Sequence, residues 1–277
     1  MDTVADVRLE PSGSRARVAL VALLSLLVCG LALVADRTVS GDVYLLLATG
    51  KYVSQHGYAW HDPFPTIAQG HPWSNQQWLA ELIVFRVTRA AGLTGLSLLY
   101  AILLALPLLL LLWQVRKKSL AALVAGSAVY FTGSLAIIHP RAAGFTLLAF
   151  TLLTVCLLRA YSPGRSKRIL LAVPVLFALW ANLHAGFLAG LGLIALVGTG
   201  LAVDRVRGLP GSVERRTIAI LGLVGAASFA ATFATPLGPA IWSYVASFRN
   251  PAIHLATQEW EPAYSSLPWM IFLAIAA

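Results

Sequence analysis

The feature that most constrains this chain is its succession of uncharged apolar runs, such as Val18–Ala35, Leu93–Trp113 and Leu120–Ile138, separated by short polar breaks. In lipid every backbone N–H and C=O must be satisfied internally, so spanning segments are helices or strands of a closed barrel. These runs are continuous rather than alternating, which selects helices. At about 1.5 Å per residue the first run covers roughly 27 Å, enough for the hydrocarbon core. Composition agrees: 58% of the residues are hydrophobic and only 11% charged, against about a quarter charged in a soluble domain. The sequence predicts an all-α integral membrane protein.

Residues 1–17, with Arg8, Arg15 and Arg17, read as a cytoplasmic tail, and residues 18–277 as a polytopic membrane domain. Beyond the three runs above, spans are expected near Ala143–Leu158, Ile169–Ala181, Phe187–Val203 and Ile218–Thr235. An eighth apolar segment begins near Leu267 and stops at Ala277, too short to span, so the chain reads as cut off in mid-helix. The total is about seven to eight transmembrane helices. If odd spans run outward and even spans return, the tail and the groups Arg116-Lys117-Lys118, Arg159/Arg165/Lys167/Arg168 and Arg205/Arg207/Arg215/Arg216 all fall on the cytoplasmic side. That is the bias expected of a multi-span protein. It also accounts for the net charge of +9 without nucleic acid as a partner. The first run is long for a signal peptide and no small-residue cleavage site follows, so it reads as a retained span. Cys29 and Cys156 lie inside apolar runs, which argues against a disulfide framework.

The span centres carry no ionisable residue, whereas ion-coupled carriers and proton pumps place such residues near the midplane. The polar residues collect instead on the outer side, in a first loop over 36–92 and a later one over 236–266. In the first loop, Asp42 opens a helix where the dipole favours a carboxylate. Ser40 stands as its N-cap, Gly57 as its C-cap, and Val43, Leu46, Leu47, Gly50 and Val53 form one stripe. A second helix is expected to start with a capping box at Ser74-Asn75-Gln76-Gln77 and to end at Gly92. Trp78, Leu79, Leu82 and Ile83 would form its apolar face, with Gln77 and Glu81 paired on another. Both helices read as lying parallel to the membrane in its interface. Asp62 precedes Pro63 and suits a turn. The spacing of His56, His61 and Asp62 matches no familiar metal-ligand set.

The order of these features carries a resemblance. An acid opens the first surface helix, D-P-F (Asp62–Phe64) and P-W (Pro72-Trp73) follow, and then W-L-x-E-L from Trp78. Later come N-L-H-A-G-F (Asn182–Phe187), T-P-L-G (Thr235–Gly238) and E-W-E-P (Glu259–Pro262). This resembles the GT-C superfamily of polytopic glycosyltransferases, in particular its uncharacterised bacterial members. The resemblance implies a GT-C-like bundle in the bacterial plasma membrane, N-terminus cytoplasmic and active site outward. It implies transfer of a sugar from a polyprenyl-phosphate donor to a glycan, lipid or protein acceptor. By position, Asp42 maps to the catalytic acid of the first loop. Many members carry paired acids there; the lone acid in Gly41-Asp42-Val43 gives no support for a metal, and no other cofactor is expected. Arg141 and Arg249 are the candidates for holding the lipid phosphate, and Asp62, Glu81, His184 and Glu259 are second-rank site residues. The contrasting reading is a non-catalytic membrane protein of the same architecture that binds lipid or glycan without turnover.

Overall fold

The computed structural model describes residue 21 and residues 41–66, 68–116, 119–134, 140–162 and 166–249. The first span, Ser40, His139, Cys29, Glu259 with its E-W-E-P motif, and the eighth apolar segment lie outside the described residues. Among the described residues the regular structure is helical: α1 (Gly41–His56), α2 (Trp78–Gln114), α3 (Leu120–Ser134), α4 (Ala143–Ala160), α5 (Ala172–Leu183), α6 (Phe187–Val206), α7 (Arg215–Ala231) and α8 (Ala240–Ser247). A 3-10 turn, Lys167–Leu171, leads into α5. Pro174 is tolerated as the third residue of α5, where its missing N–H has no partner to lose.

Among the described residues three helices are long and apolar enough to cross a membrane: Trp78–Val115, Ala143–Ala160 and Phe187–Val206. The expected span count is therefore described only in part. α5 is cut to 12 residues by the 3-10 turn before it and the break at His184 after it. α7 stops at 17 residues, shortly before Pro236. Large apolar side chains stand on the outside of the bundle, among them Leu98, Ile102, Val124, Leu158, Val175, Leu196 and Leu223. A water-soluble monomer seldom tolerates so much exposed apolar surface. In lipid these side chains need no cover, and the chain has the architecture of a helical membrane protein.

Two clusters position the polar end. Val43 and Leu46 of α1 pack with Ala80, Val84, Leu96, Tyr100 and Leu103 of α2 and with Ala142 and Phe145 at the head of α4. Phe177, Trp180, Phe187, Leu221 and Ile241 centre a second cluster that joins α4–α8. α1 closes as expected at Gly57 (φ +82), whose N–H reaches Val53 O at 3.0 Å. Gly92 (φ 62, ψ −159) breaks α2 into a short limb before it and a long apolar limb after it, where the sequence placed the end of the second surface helix.

Two local expectations fail. The capping box does not form: Gln77 is the N-cap of α2 and makes no side-chain cap bond. The Gln77 amide turns toward Glu81 Oε1 at 3.4 Å, and its neighbour Gln76 reaches a long-range partner, Ala181 O. The apolar face of the short limb is also rotated from the expected one. Ala80, Glu81 and Val84 are buried, while Trp78, Leu79 and Leu82 are only partly so.

Candidate functional site

Four contacts bring the polar breaks of the sequence to one end of the bundle. The head of α1 meets the head of α4 through Asp42 and Arg141. The head of α2 meets the tail of α5: Gln76 Nε2 donates to Ala181 O (2.8 Å), and Trp78 Nε1 donates to Asn182 Oδ1 (2.8 Å). Asn182 Nδ2 in turn donates to Ala178 O and to Ala234 O just beyond α7, each at 2.8 Å. His184 sits in the break between α5 and α6 and reaches Thr146 of α4. The motifs around Trp78, Asn182 and Thr235, far apart in sequence, thus form one polar floor. Asn182 ties two helices, α2 and α5, to the loop after α7. We predict that Asn182→Leu, which strands the Trp78 indole N–H and two carbonyls, costs about 2–4 kcal/mol, measured as a drop in the melting temperature of the detergent-solubilised chain.

Asp42 lies in the first turn of α1 and Arg141 immediately before α4. Arg141 Nε lies 2.7 Å from Asp42 Oδ2, with the side chains 32% and 50% exposed respectively. The pair is accessible from outside the bundle.

Glu81 has a different setting. It is 1% exposed, in the short limb of α2 ahead of the Gly92 break and so outside the spanning limb. Gln77 Nε2 approaches its Oε1 at 3.4 Å, and Oε2 has no hydrogen-bond partner. Burial raises the carboxyl from 4.5 to about 7, with the facing amides of Asn75 and Gln77 pulling the other way. The Tyr58 hydroxyl, beside Asn75 and Glu81, is pushed up to about 12 by burial and then by the Glu81 charge. Tyr244 of α8 is raised by the same two causes. A cavity of about 320 Å³ opens here, lined by Trp73, Ser74, Asn75, Gln76, Gln77, Glu81 and Tyr244.

The folded state binds the Glu81 proton more tightly than the unfolded state. Its stabilising contribution is therefore complete below pH 4.5 and is lost as pH rises to about 7. Glu81→Gln removes this loss. The melting temperature of the variant minus that of wild type is expected to grow from pH 4.5 to about 7 and then level off, with a limiting slope of about 1.4 kcal/mol per pH unit. A difference independent of pH would contradict the buried carboxyl. His184 acts oppositely: burial lowers it from 6.5 to about 4, so stability is complete above pH 6.5 and is lost as pH falls toward 4. Comparing the variant with wild type cancels that contribution.

The other sequence candidates are dispersed. His184 Nδ1 is taken up by Gly186 N–H (3.1 Å) and Thr146 Oγ1 (2.9 Å), and Thr146 in turn accepts from Trp180 Nε1 (2.9 Å). It braces the helix break. Asp62 Oδ1 accepts from Phe64 N at 2.8 Å, the turn-forming role that the following proline implied. Its backbone pairs with Gly70 and His71 to close the loop between α1 and α2. Arg249 is exposed just past α8 and takes no part in the Asp42–Arg141 pair. Among the described residues no three His, Cys, Asp or Glu side chains are grouped to hold a metal. Sequence reasoning missed Tyr58, Tyr244 and the cavity role of Asn75, because nothing local in the sequence links these three positions.

Fold and site together define a helical membrane protein with a polar site gathered at one end of its bundle. Set against known proteins, the chain matches no family model, no curated protein and no solved structure.

Proposed function

We propose that this protein is an inverting glycosyltransferase of GT-C-like architecture, with about seven to eight spans and two membrane-parallel helices in its first outer loop. It moves a sugar from a polyprenyl-phosphate donor to an acceptor on the outer face of the bacterial plasma membrane. The observation that carries the reading is the meeting of Asp42 and Arg141 at 2.7 Å at the head of α1, both partly exposed. Charge asymmetry supports the orientation. Arg116, Arg159, Lys167, Arg168, Arg205, Arg207, Arg215 and Arg216 all lie at the helix ends opposite this site, and basic residues mark the cytoplasmic side.

In the reaction, the acceptor hydroxyl oxygen attacks the anomeric carbon and its proton passes to the Asp42 carboxylate. The bond from the anomeric carbon to the phosphate oxygen breaks, and its electron pair leaves with the lipid phosphate. The guanidinium of Arg141 stabilises that growing charge. The donor's isoprenoid tail rests against the lipid-facing helices, so only the sugar phosphate needs to reach the site. The test is transfer from a radiolabelled polyprenyl-phosphate sugar by the full chain in membrane vesicles, wild type against Asp42→Asn.

One observation favours the non-catalytic reading. Arg141 already occupies one oxygen of the Asp42 carboxylate, as it would in a purely structural pair. Binding of the lipid-linked sugar with no transfer by wild type would favour that reading.

A further inference from the structure

We propose that the cavity between the head of α2 and α8 is a binding site for a neutral ring bearing adjacent hydroxyls, a single sugar residue, held by Glu81 and Asn75. It does not rest on the reading above: one ring in this cavity lies too far from Asp42 to present the hydroxyl that Asp42 would deprotonate. The site is separate from the Asp42–Arg141 pair. α1 crosses the short limb of α2 at Gly50, whose α-carbon lies against the Glu81 backbone, and eight helical residues put Gly50 about 12 Å along the axis from Asp42.

The unmet hydrogen-bonding groups select the ligand. Among the described residues, neither end of the buried Asn75 amide nor Glu81 Oε2 completes a hydrogen bond of good geometry, although the amide faces the carboxyl. Asn75 and Glu81 are each 1% exposed. Leaving such groups unpaired costs about 1–3 kcal/mol each, so they mark places where a ligand or water completes the set. The inventory mixes donors with acceptors. A phosphate or carboxylate would need a cation, and among the described residues no Lys or Arg lines the cavity. An ammonium ion would satisfy the acceptors and leave the Asn75 N–H₂ unpaired. Hydroxyls on neighbouring carbons offer both functions at short spacing. The half-buried rings of Trp73 and Tyr244 line the same space and supply flat apolar surface for the carbon face of a ring. A volume of about 320 Å³ stands at the low end of ligand pockets, roughly 300–1,000 Å³, which fits one ring rather than an oligosaccharide.

The experiment titrates the full chain in nanodiscs with methyl glycosides of glucose, galactose and mannose, and in parallel with ethanolamine and inorganic phosphate, following tryptophan fluorescence. At least one methyl glycoside is expected to give a saturable change that Trp73→Phe abolishes. Glu81→Gln should weaken that binding at least about tenfold. Asn75→Leu should abolish it and raise the melting temperature, because the variant removes an unpaired buried amide. A fall in melting temperature would instead show Asn75 held by the protein itself and overturn the proposal. So would binding of ethanolamine or phosphate without any glycoside, or no saturable binding by any probe. Asp42→Asn should bind the glycoside as wild type does. Glycoside binding by a wild-type chain that transfers no sugar would remove the enzyme reading alone, and transfer by wild type without glycoside binding at Glu81 would remove this one alone.

Discussion

Asp42→Asn lowers sugar transfer by about two to four orders of magnitude, the span a positioned general base supplies, while leaving the melting temperature near that of wild type. The two halves of this expectation come from different magnitudes. Asp42 and Arg141 are 50% and 32% exposed, and an ion pair so open to solvent contributes about 0–1 kcal/mol to stability. The amide fits the space of the carboxylate, so the head of α1 stays where Val43 and Leu46 hold it. The chemistry has no such cushion, because an amide cannot take the acceptor's proton. Arg141→Gln should act on the other partner of the reaction, raising the KM for the lipid-phosphate donor and lowering kcat, since its charge meets the departing phosphate. Transfer by Asp42→Asn close to the wild-type rate would remove this carboxylate from the mechanism.

Gly50→Leu should abolish both folding of the site and activity. A Cβ at Gly50 would stand 2.1 Å from Glu81 O and 2.7 Å from both Glu81 C and Phe85 Cβ. Two of those atoms are helix backbone, which cannot swing aside as a side-chain tip would. α1 must lift from α2, giving up the burial of Val43, Leu46 and Val53 and displacing Asp42 from Arg141. The expected cost is about 3 kcal/mol or more, read as a large fall in melting temperature or loss of the folded protein in detergent. Gly41→Ala is the control. Nothing lies within 4 Å of a Cβ there, and it should be close to neutral.

The sequence revealed those parts of the fold that are settled locally. Asp42 in the first turn of α1, Gly57 at its end and Gly92 at the break in α2 follow from backbone and dipole requirements that act within a few residues. The stripe Val43, Leu46, Gly50, Val53 was readable from helical spacing, although the spacing did not tell that Gly50 is the point of closest approach. The short limb of α2 was harder. Both Trp78-Leu82 and Ala80-Val84 are apolar stripes, so periodicity could not decide which faces α1, and Glu81 was placed on the wrong side. The failed capping box has the same origin. The Gln77 amide that would reach back to Ser74 faces Glu81 Oε1 instead, and only the tertiary structure, which buries Glu81, resolves that competition. Asp42 and Arg141 were named for separate tasks, base and phosphate holder, and their contact with each other is seen only in the folded chain. Tyr58, Asn75 and Tyr244 come together only through the folded chain.

The account stands most directly on one assay. Full-length protein is placed in sealed vesicles whose orientation is known from protease access to the N-terminal tail. A radiolabelled polyprenyl-phosphate sugar is then supplied, and the label passed to acceptor is counted. The account predicts transfer on the face that carries the Asp42–Arg141 pair, absent in Asp42→Asn. Label that never leaves the lipid phosphate in wild type, across the common polyprenyl-phosphate sugars, or transfer that proceeds on the tail's own side of the membrane, would contradict it.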